Sequence, residues 1–325
     1  MFTEREQGII QVRSPLPFPL KWVNGYLISD SNGWVLIDPG LHTTESEQNW
    51  QETLAQLSIR PSDIHSIVLT HHHPDHYGLA GWMQQWTGAP VYMADRGYAQ
   101  TQRMWGEGNA QNTSTLLDFY RLNGLPESLE EAMHTHLLEF VALVSPQPIV
   151  SSLQPGQTIY LGDEPYEVLE GSGHAYGHLL FYQKHEGRMF CGDHVMPHIS
   201  PNVSYLPGVD ENPLQSYLTS LAQLQSLPVR LAYPGHRDPF INWSERISQL
   251  LSHHAQRLDW FVERLSERMT AFDCCQALFG DRLSIHQLRF ALSETLAHLI
   301  FLEKERKIKR CEEHRIEYQQ QEETT

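Results

Sequence analysis

The order of apolar and polar positions divides the chain into an N-terminal meander, a long alternation of strands and helices, and a helical tail. Gly8-Ile9-Ile10-Gln11-Val12, Gly25-Tyr26-Leu27-Ile28-Ser29 and Trp34-Val35-Leu36-Ile37 read as short strands, the last two joined by the turn residues Asp30-Ser31-Asn32-Gly33. Glu45 to Leu57 predicts a helix, and Ser66-Ile67-Val68-Leu69-Thr70 is an apolar run suited to a buried strand. A helix over Leu79 to Thr87 and a strand over Pro90 to Met93 follow. From residue 99 to about 150 the pattern turns helical and predicts an inserted cap. Leu129, Met133, Leu137, Phe140 and Val144 recur there at helical spacing, behind Ser128-Leu129-Glu130-Glu131, which reads as a capping box. Strands resume at Thr158–Leu161, Tyr166–Leu169, His178–Tyr182 and Arg188–Cys191, then a helix at Leu214–Leu224 and a strand at Arg230–Tyr233. Residues 1–245 thus form the main unit, interrupted by the cap, and residues 246–325 a small, mostly helical module. The charged stretch Lys304 to Arg310 at its end suits a wing, and the polar end Gln319 to Thr325 is expected to fray.

Composition narrows the class. With 325 residues, 40% of them hydrophobic, the chain can bury a large core without crosslinks. No run of about 18 apolar residues occurs and Glu4, Arg5 and Glu6 precede any apolar stretch, so a cytoplasmic protein without membrane association is expected. Cys191, Cys274, Cys275 and Cys311 have neither metal-binding nor disulfide-framework spacing and read as free thiols, with Cys191 a small buried residue. A formal charge of −16 repels polyanions, which disfavours nucleic acid and points to a small-molecule substrate. Lys304, Arg306, Lys307, Lys309 and Arg310 alternate with glutamates and read as a solvated face. The helical tail offers a surface for a homodimer.

The 19 histidines change the picture, because several stand beside glycines and aspartates where predicted strands end. His71-His72-His73-Pro74-Asp75-His76 directly follows the buried strand. His71 and His73, two apart in extended backbone, can face one ion, while Asp75 and His76, a step further round the turn, face another. Imidazole and carboxylate suit borderline divalent metals, and two ions about 3.5–4 Å apart can hold a nucleophilic hydroxide between them. Further ligands are available in Gly173-His174-Ala175-Tyr176-Gly177-His178, Cys191-Gly192-Asp193-His194 and Tyr233-Pro234-Gly235-His236. This reading puts His71, His73 and His174 on one metal, Asp75, His76 and His236 on the other, and Asp193 between them. Zinc leads by ligand preference, and iron or manganese suits the same donors.

HxHxDH after an apolar strand, then GHxxGH, GD and PGH, in that order over roughly Gly25 to Arg257, resembles the metallo-β-lactamase superfamily. The resemblance implies an α/β fold, a four-layer αβ/βα sandwich with two metals at one edge and metal-activated water as nucleophile. It implies that Asp38 supports the metal-binding loop, with Asp75 and Asp193 as the carboxylates serving catalysis. Tyr176 stands where a proline is frequent and is placed to project toward substrate. His178 and His194 either orient ligands or are structural histidines. Ser252-His253-His254-Ala255-Gln256-Arg257 and the tail around Ala297-His298-Leu299 are similar to the winged-helix-like end of the β-lactamase-like protein 2 group.

Glyoxalase II-like thioesterases, lactonases, β-lactamases and nucleases share this fold, so the substrate must be argued separately. The acidic charge and the aromatic, methionine-containing cap favour a small ester or thioester. A phosphodiesterase or endoribonuclease, which should show a basic groove beside the metals, is the alternative enzyme, and a non-catalytic metal-binding regulator is an alternative of another kind. The inserted helices around Trp105, Phe119, Tyr120 and Met133 either form a lid or simply pack on the sandwich, and His134 and His136 within them read as surface histidines.

Overall fold

The computed structural model describes residues 1–321. Its first sheet gathers β1 (Phe2–Glu6), β2 (Ile9–Pro15), β3 (Trp22–Asp30), β4 (Gly33–Ile37), β5 (Ile64–Val68), β6 (Val91–Met93) and β7 (Val150–Ser152) in sequence order. Pairing is antiparallel from β1 to β4 and parallel from β4 to β7. The helices α1 (Thr44–Gln56), α2 (Pro74–Tyr77) and α3 (Ala80–Thr87) lie between these strands in sequence. The second sheet contains β8 (Thr158–Leu161), β9 (Glu164–Glu170), β10 (Leu179–Gln183), β11 (Arg188–Gly192) and β12 (Leu231–Pro234), with α7 (Pro213–Leu224) as the crossover joining the parallel pair β11 and β12.

Alternation along the strands sends one set of side chains between the sheets and the other outward. Ile9, Tyr26, Ile28, Val35, Ile37 and Val68 of the first sheet meet Val168, Leu179, Phe181, Phe190 and Tyr233 of the second in one buried cluster. Leu27, Leu36 and Ile67 face the other way and pack with Trp50 and Leu54 of α1 and Met83 of α3. Leu180, Tyr182 and Met189 do the same against Leu214, Tyr217 and Leu221 of α7 and Ile247 of α8 (Trp243–Arg264). The order is helix, sheet, sheet, helix, as in the four-layer sandwich.

The insertion is built of α4 (Asp95–Trp105), α5 (Asn109–Leu122) and α6 (Glu127–Ala142). Ser128 does not cap α6. Extended Pro126 stands at the cap with φ −63°, the helix begins at Glu127, and Ser128 falls inside its first turn, where no side chain caps it. Beyond α8 come β13 (Met269–Thr270), α9 (Ala271–Phe279), α10 (Ile285–Lys304), β14 (Ile308–Glu312) and β15 (Ile316–Gln320). Besides the helices α8, α9 and α10, the last part holds β13, β15 and β14 as a three-stranded antiparallel sheet. Gln319 and Gln320 do not fray. They pair with Lys309 and Ile308, while 322–325, the rest of the expected frayed end, lie outside the described residues.

Cap and tail share one core. Leu116, Leu117, Tyr120, Met133 and Leu137 of α5 and α6 are buried together with Phe261, Phe272, Leu292, Leu296, Leu299 and Tyr318. Tyr120 Oη meets Ser293 Oγ at 2.5 Å, and Tyr318 Oη donates to Asn123 Oδ1 at 3.2 Å.

Candidate metal centre

All the histidine- and aspartate-bearing loops leave the carboxyl ends of strands. His71 to His76 follows β5, Asp193 follows β11 and His236 follows β12, while His174 lies in the loop that leads into β10. The two sheets are tied there by Leu179 N donating to Thr70 O at 2.8 Å and Asn24 N donating to Gly235 O at 2.7 Å. Pro74 at the first position of α2 ends the extended run His71–His73 and turns Asp75 and His76 inward. Gly235 is needed for close approach: a Cβ there would stand 2.1 Å from Asp193 Oδ1 and 2.5 Å from His76 Cε1.

Ligand atoms of His71, His73 and His174 lie within 4.8 Å of one another, as do those of Asp75, His76 and His236. Asp193 stands astride the two groups. Its Oδ1 is 3.3 Å from His76 Nε2, and its Oδ2 is 3.4 Å from His236 Nε2 and 3.9 Å from His174 Nε2. Asp75 Oδ2 is 3.2 Å from His236 Nε2.

Proton placement follows from the other ring nitrogens. His76 Nδ1 lies 2.8 Å from Asp38 Oδ2, His236 Nδ1 2.9 Å from Trp22 O and His174 Nδ1 2.7 Å from Asn202 O, acceptors that require N–H at each Nδ1. Thr70 Oγ1 donates to Asp38 Oδ2 at 2.6 Å, which leaves it to accept from His71 Nδ1 at 2.9 Å. Four Nε2 atoms are thereby freed as lone pairs. Those of His71, His76, His174 and His236, with Asp193 Oδ1, are buried and have no hydrogen-bond partner among the described residues. Buried polar atoms normally find partners. A converging set of unpartnered imidazole and carboxylate donors is the complement of divalent cations, so these residues fit a two-metal site.

Electrostatics agree. Burial and the neighbouring histidines hold His71 and His73 well below the ordinary imidazole range, and burial lowers His174 despite Asp193. Burial works against charge on His236 too, yet Asp193 and Asp75 push it up to about 10, and His76 rises against the same burial through Asp193, Asp75 and Asp38. Burial opposes ionisation of Asp193, but His236 and His76 hold it well below the usual carboxylate range. The carboxylates demand positive charge, which protons supply when cations do not.

Asp38 is the positioning hub. It accepts from Thr70 N at 2.8 Å as well as from Thr70 Oγ1 and His76, and sits at φ 49°, a left-handed conformation that aspartate tolerates at modest cost. His178 Nε2 accepts from Asp193 N at 3.3 Å and its ring stacks on His71 at 4.7 Å. His194 touches none of the seven clustered side chains through hydrogen bonds; its Nε2 meets Ser220 Oγ at 2.9 Å and its carbonyl accepts from Tyr217 Oη. Tyr176 lines the adjoining cavity with its ring under the Arg96 guanidinium, 5.6 Å away, and His72 turns from the metal groups toward Trp105.

A cavity of about 630 Å³ opens from His73, Asp75, His174, Asp193 and His236. Met104, Trp105, Leu116 and Phe140 of the insertion wall one side, Leu16, Phe18 and Leu20 of the loop between β2 and β3 another, and Leu283, His286, Arg289 and Phe290 of the last part of the chain a third. Those last residues were not among the candidates from sequence. They lie far along the chain from the histidine and aspartate motifs that mark the centre. His136 is not a surface histidine either: its side chain is 13% exposed and packs on Phe140 and His286.

Residues 23–236 match the family model of the metallo-β-lactamase superfamily. The chain belongs to this superfamily. Residues 258–321 match a second model, the metallo-β-lactamase-like C-terminal domain. A Bacillus subtilis protein named "Probable metallo-hydrolase YqjP" is 30% identical over 307 residues, 93% of this chain and 94% of that protein. The crystal structure of a metallo-β-lactamase family protein from Thermus thermophilus superposes with a TM-score of 0.88 at 32% identity, covering 98% of this chain and 100% of that one. An atrochrysone carboxyl ACP thioesterase from Aspergillus fumigatus is 24% identical over 253 residues, 78% of this chain but 46% of that protein. The chain is a metallo-hydrolase of this superfamily, and its clustered histidines and aspartates fit the metal site such a hydrolase needs.

Proposed function

We propose that the protein hydrolyses a small ester or thioester at a two-metal centre, with His71, His73 and His174 holding one ion, Asp75, His76 and His236 the other, and Asp193 shared between them. The observation that carries the ligand set is the burial of four unpartnered Nε2 atoms, three of which, those of His76, His236 and His174, lie within 3.9 Å of the oxygens of Asp193. When bound, the two ions, with zinc the first expectation, polarise the electrophilic oxygen and lower the pKa of water from 15.7 to about 7.

The chain's own residues do the rest. Asp38, Thr70, and the carbonyls of Trp22 and Asn202 hold His76, His71, His236 and His174 in the Nδ1–H tautomer, so these four Nε2 atoms are preset as donors of electrons. Asp75 is the more open of the two carboxylates, with its side chain 19% exposed toward the cavity. It takes the proton of the attacking water and returns it to the departing alkoxide or thiolate. The apolar cavity wall excludes bulk water from the acyl chain and places the carbonyl carbon beside the centre.

An ester or thioester is favoured over a phosphodiester because aromatic and aliphatic side chains, rather than a basic groove, flank the centre. The thioesterase name of the fungal relative supports the same class. The decisive experiment is metal analysis of the purified protein, followed by thioester, lactone, nitrocefin and bis-nitrophenyl phosphate substrates with and without chelator. Chelator-sensitive thioester or ester turnover is expected, abolished in Asp75→Ala and His73→Ala together with loss of metal. Turnover confined to the phosphodiester would overturn the substrate class, and normal activity with normal metal in either variant would overturn the ligand assignment.

A further inference from the structure

We infer that Arg289 forms a second, non-metal recognition point in the same cavity and binds an oxyanion of the substrate, a carboxylate or a phosphate remote from the scissile bond. The inference rests on the hydrolase reading above and names a feature of its substrate. Arg289 lies on α10, and its guanidinium stands over the rings of Phe140 at 4.9 Å and Phe290 at 4.3 Å. These contacts pin the side chain at the cavity wall without supplying an acceptor.

None is supplied elsewhere among the described residues. Nε of Arg289 is buried with no hydrogen-bond partner, and no carboxylate lies within ion-pair distance of the group. Glu294, one turn on, is engaged by Arg257 and by Asn202 Nδ2 at 2.8 Å. The cavity's other arginine, Arg96, has a carboxylate of its own in Glu170, 3.2 Å away.

Two further nitrogens beside Arg289 are unspent. Nδ1 of His286 and Nε2 of His136 are buried without partners, and their rings are 5.3 Å apart. Both feel the Arg289 charge, and His286 lines the cavity. A half-buried guanidinium held between two rings without a counterion is costly to keep, and the planar fork of arginine matches a carboxylate or phosphate. The chain is strongly acidic, so an unpaired cation enclosed here is not a product of general surface charge. Two sources fit this chemistry: a carboxylate at the far end of the acyl chain, or a phosphate on the leaving group.

The test uses the metal-loaded protein and the variants Arg289→Gln and Arg289→Lys. Calorimetric titration with hexanoate and with inorganic phosphate should show binding of at least one, weakened roughly 10–100-fold in Arg289→Gln and to a lesser degree in Arg289→Lys, since a charge-assisted pair is lost in one and its fork in the other. Which probe is lost identifies the source. Binding that is equal in wild type and both variants, or no binding of either anion to wild type, overturns the inference. Matched thioesters that differ only in a terminal carboxylate or methyl group, or only in a phosphorylated or plain leaving group, add the kinetic arm. The ratio of kcat/KM for the anionic over the neutral member should fall toward one in Arg289→Gln, and a ratio that survives the substitution counts against it. Should Arg289→Gln fail to fold by circular dichroism, Arg289→Lys, which keeps the charge, decides in the same titration. If no thioester or ester is hydrolysed, the functional reading fails while the titration still decides the anion site.

Discussion

At the scale of single residues, the centre is set by what surrounds its ligands. Asp38 holds His76 directly and His71 through Thr70, so Asp38→Ala should lower metal affinity about 10–100-fold while leaving the secondary structure intact. Metal titration alongside circular dichroism reads both, and unchanged affinity would remove Asp38 from the positioning role. Gly235→Ala makes a sharper demand, since its Cβ meets Asp193 and His76 well inside contact distance. Metal content below half that of wild type is expected in a folded protein, and full occupancy would show that the loop can shift. The HxHxDH, GH, GD and PGH motifs were legible because each is a short local pattern. Thr70, Asn202 and the Trp22 carbonyl were not, because backbone acceptors and single hydroxyls carry no sequence signature.

At the scale of elements, the inserted helices and the end of the chain cannot be treated as separate additions. Met133, fully buried, packs in the core that also contains Leu292, Leu296 and Tyr318. Met133→Ala should cost about 2–5 kcal/mol by loss of packing and the cavity left behind. Thermal unfolding should show a lowered midpoint, and limited proteolysis should open α9 and α10 together with α5 and α6. Cleavage confined to the inserted helices would argue against a shared core. Helical spacing exposed α6, but not its partnership with α10, because amphipathic periodicity says that a face is buried and not against what.

At the scale of the whole molecule, pH acts through a buried histidine pair of α8 and α10, outside the proposed metal centre. His298 Nδ1 donates to Glu294 O at 2.8 Å, so His298 Nε2 must stay unprotonated to accept from His254 Nδ1 at 3.1 Å, and His254 Nε2 is buried with no partner among the described residues to receive a second proton. Burial pushes His254 down to about 2 and His298 to about 3, helped in the first by His298 and in both by Arg257 and His253. The unfolded chain binds protons at these rings near pH 6.5 and the folded one does not, so stability is full above 6.5 and declines as pH falls below it. Each histidine should cost about 1.4 kcal/mol per pH unit below that point. Denaturant titrations at pH 7.5 and 5.0 should therefore differ more for wild type than for His254→Phe, and an equal difference would exonerate the pair.

Strand alternation, helical spacing and four ordered motifs carry the sandwich, the existence of the inserted helices and the identity of the clustered histidines and aspartates, because each depends on neighbours along the chain. The cavity wall depends on neighbours in space. Phe18, Phe140, His286 and Arg289 come from three remote segments, and only the packing of α6 and α10 beside the β2–β3 loop brings them together. A sequence can therefore announce the chemistry of this centre while leaving the shape and charge of the space beside it to the tertiary fold, since metal ligands cluster locally at strand ends and substrate walls do not.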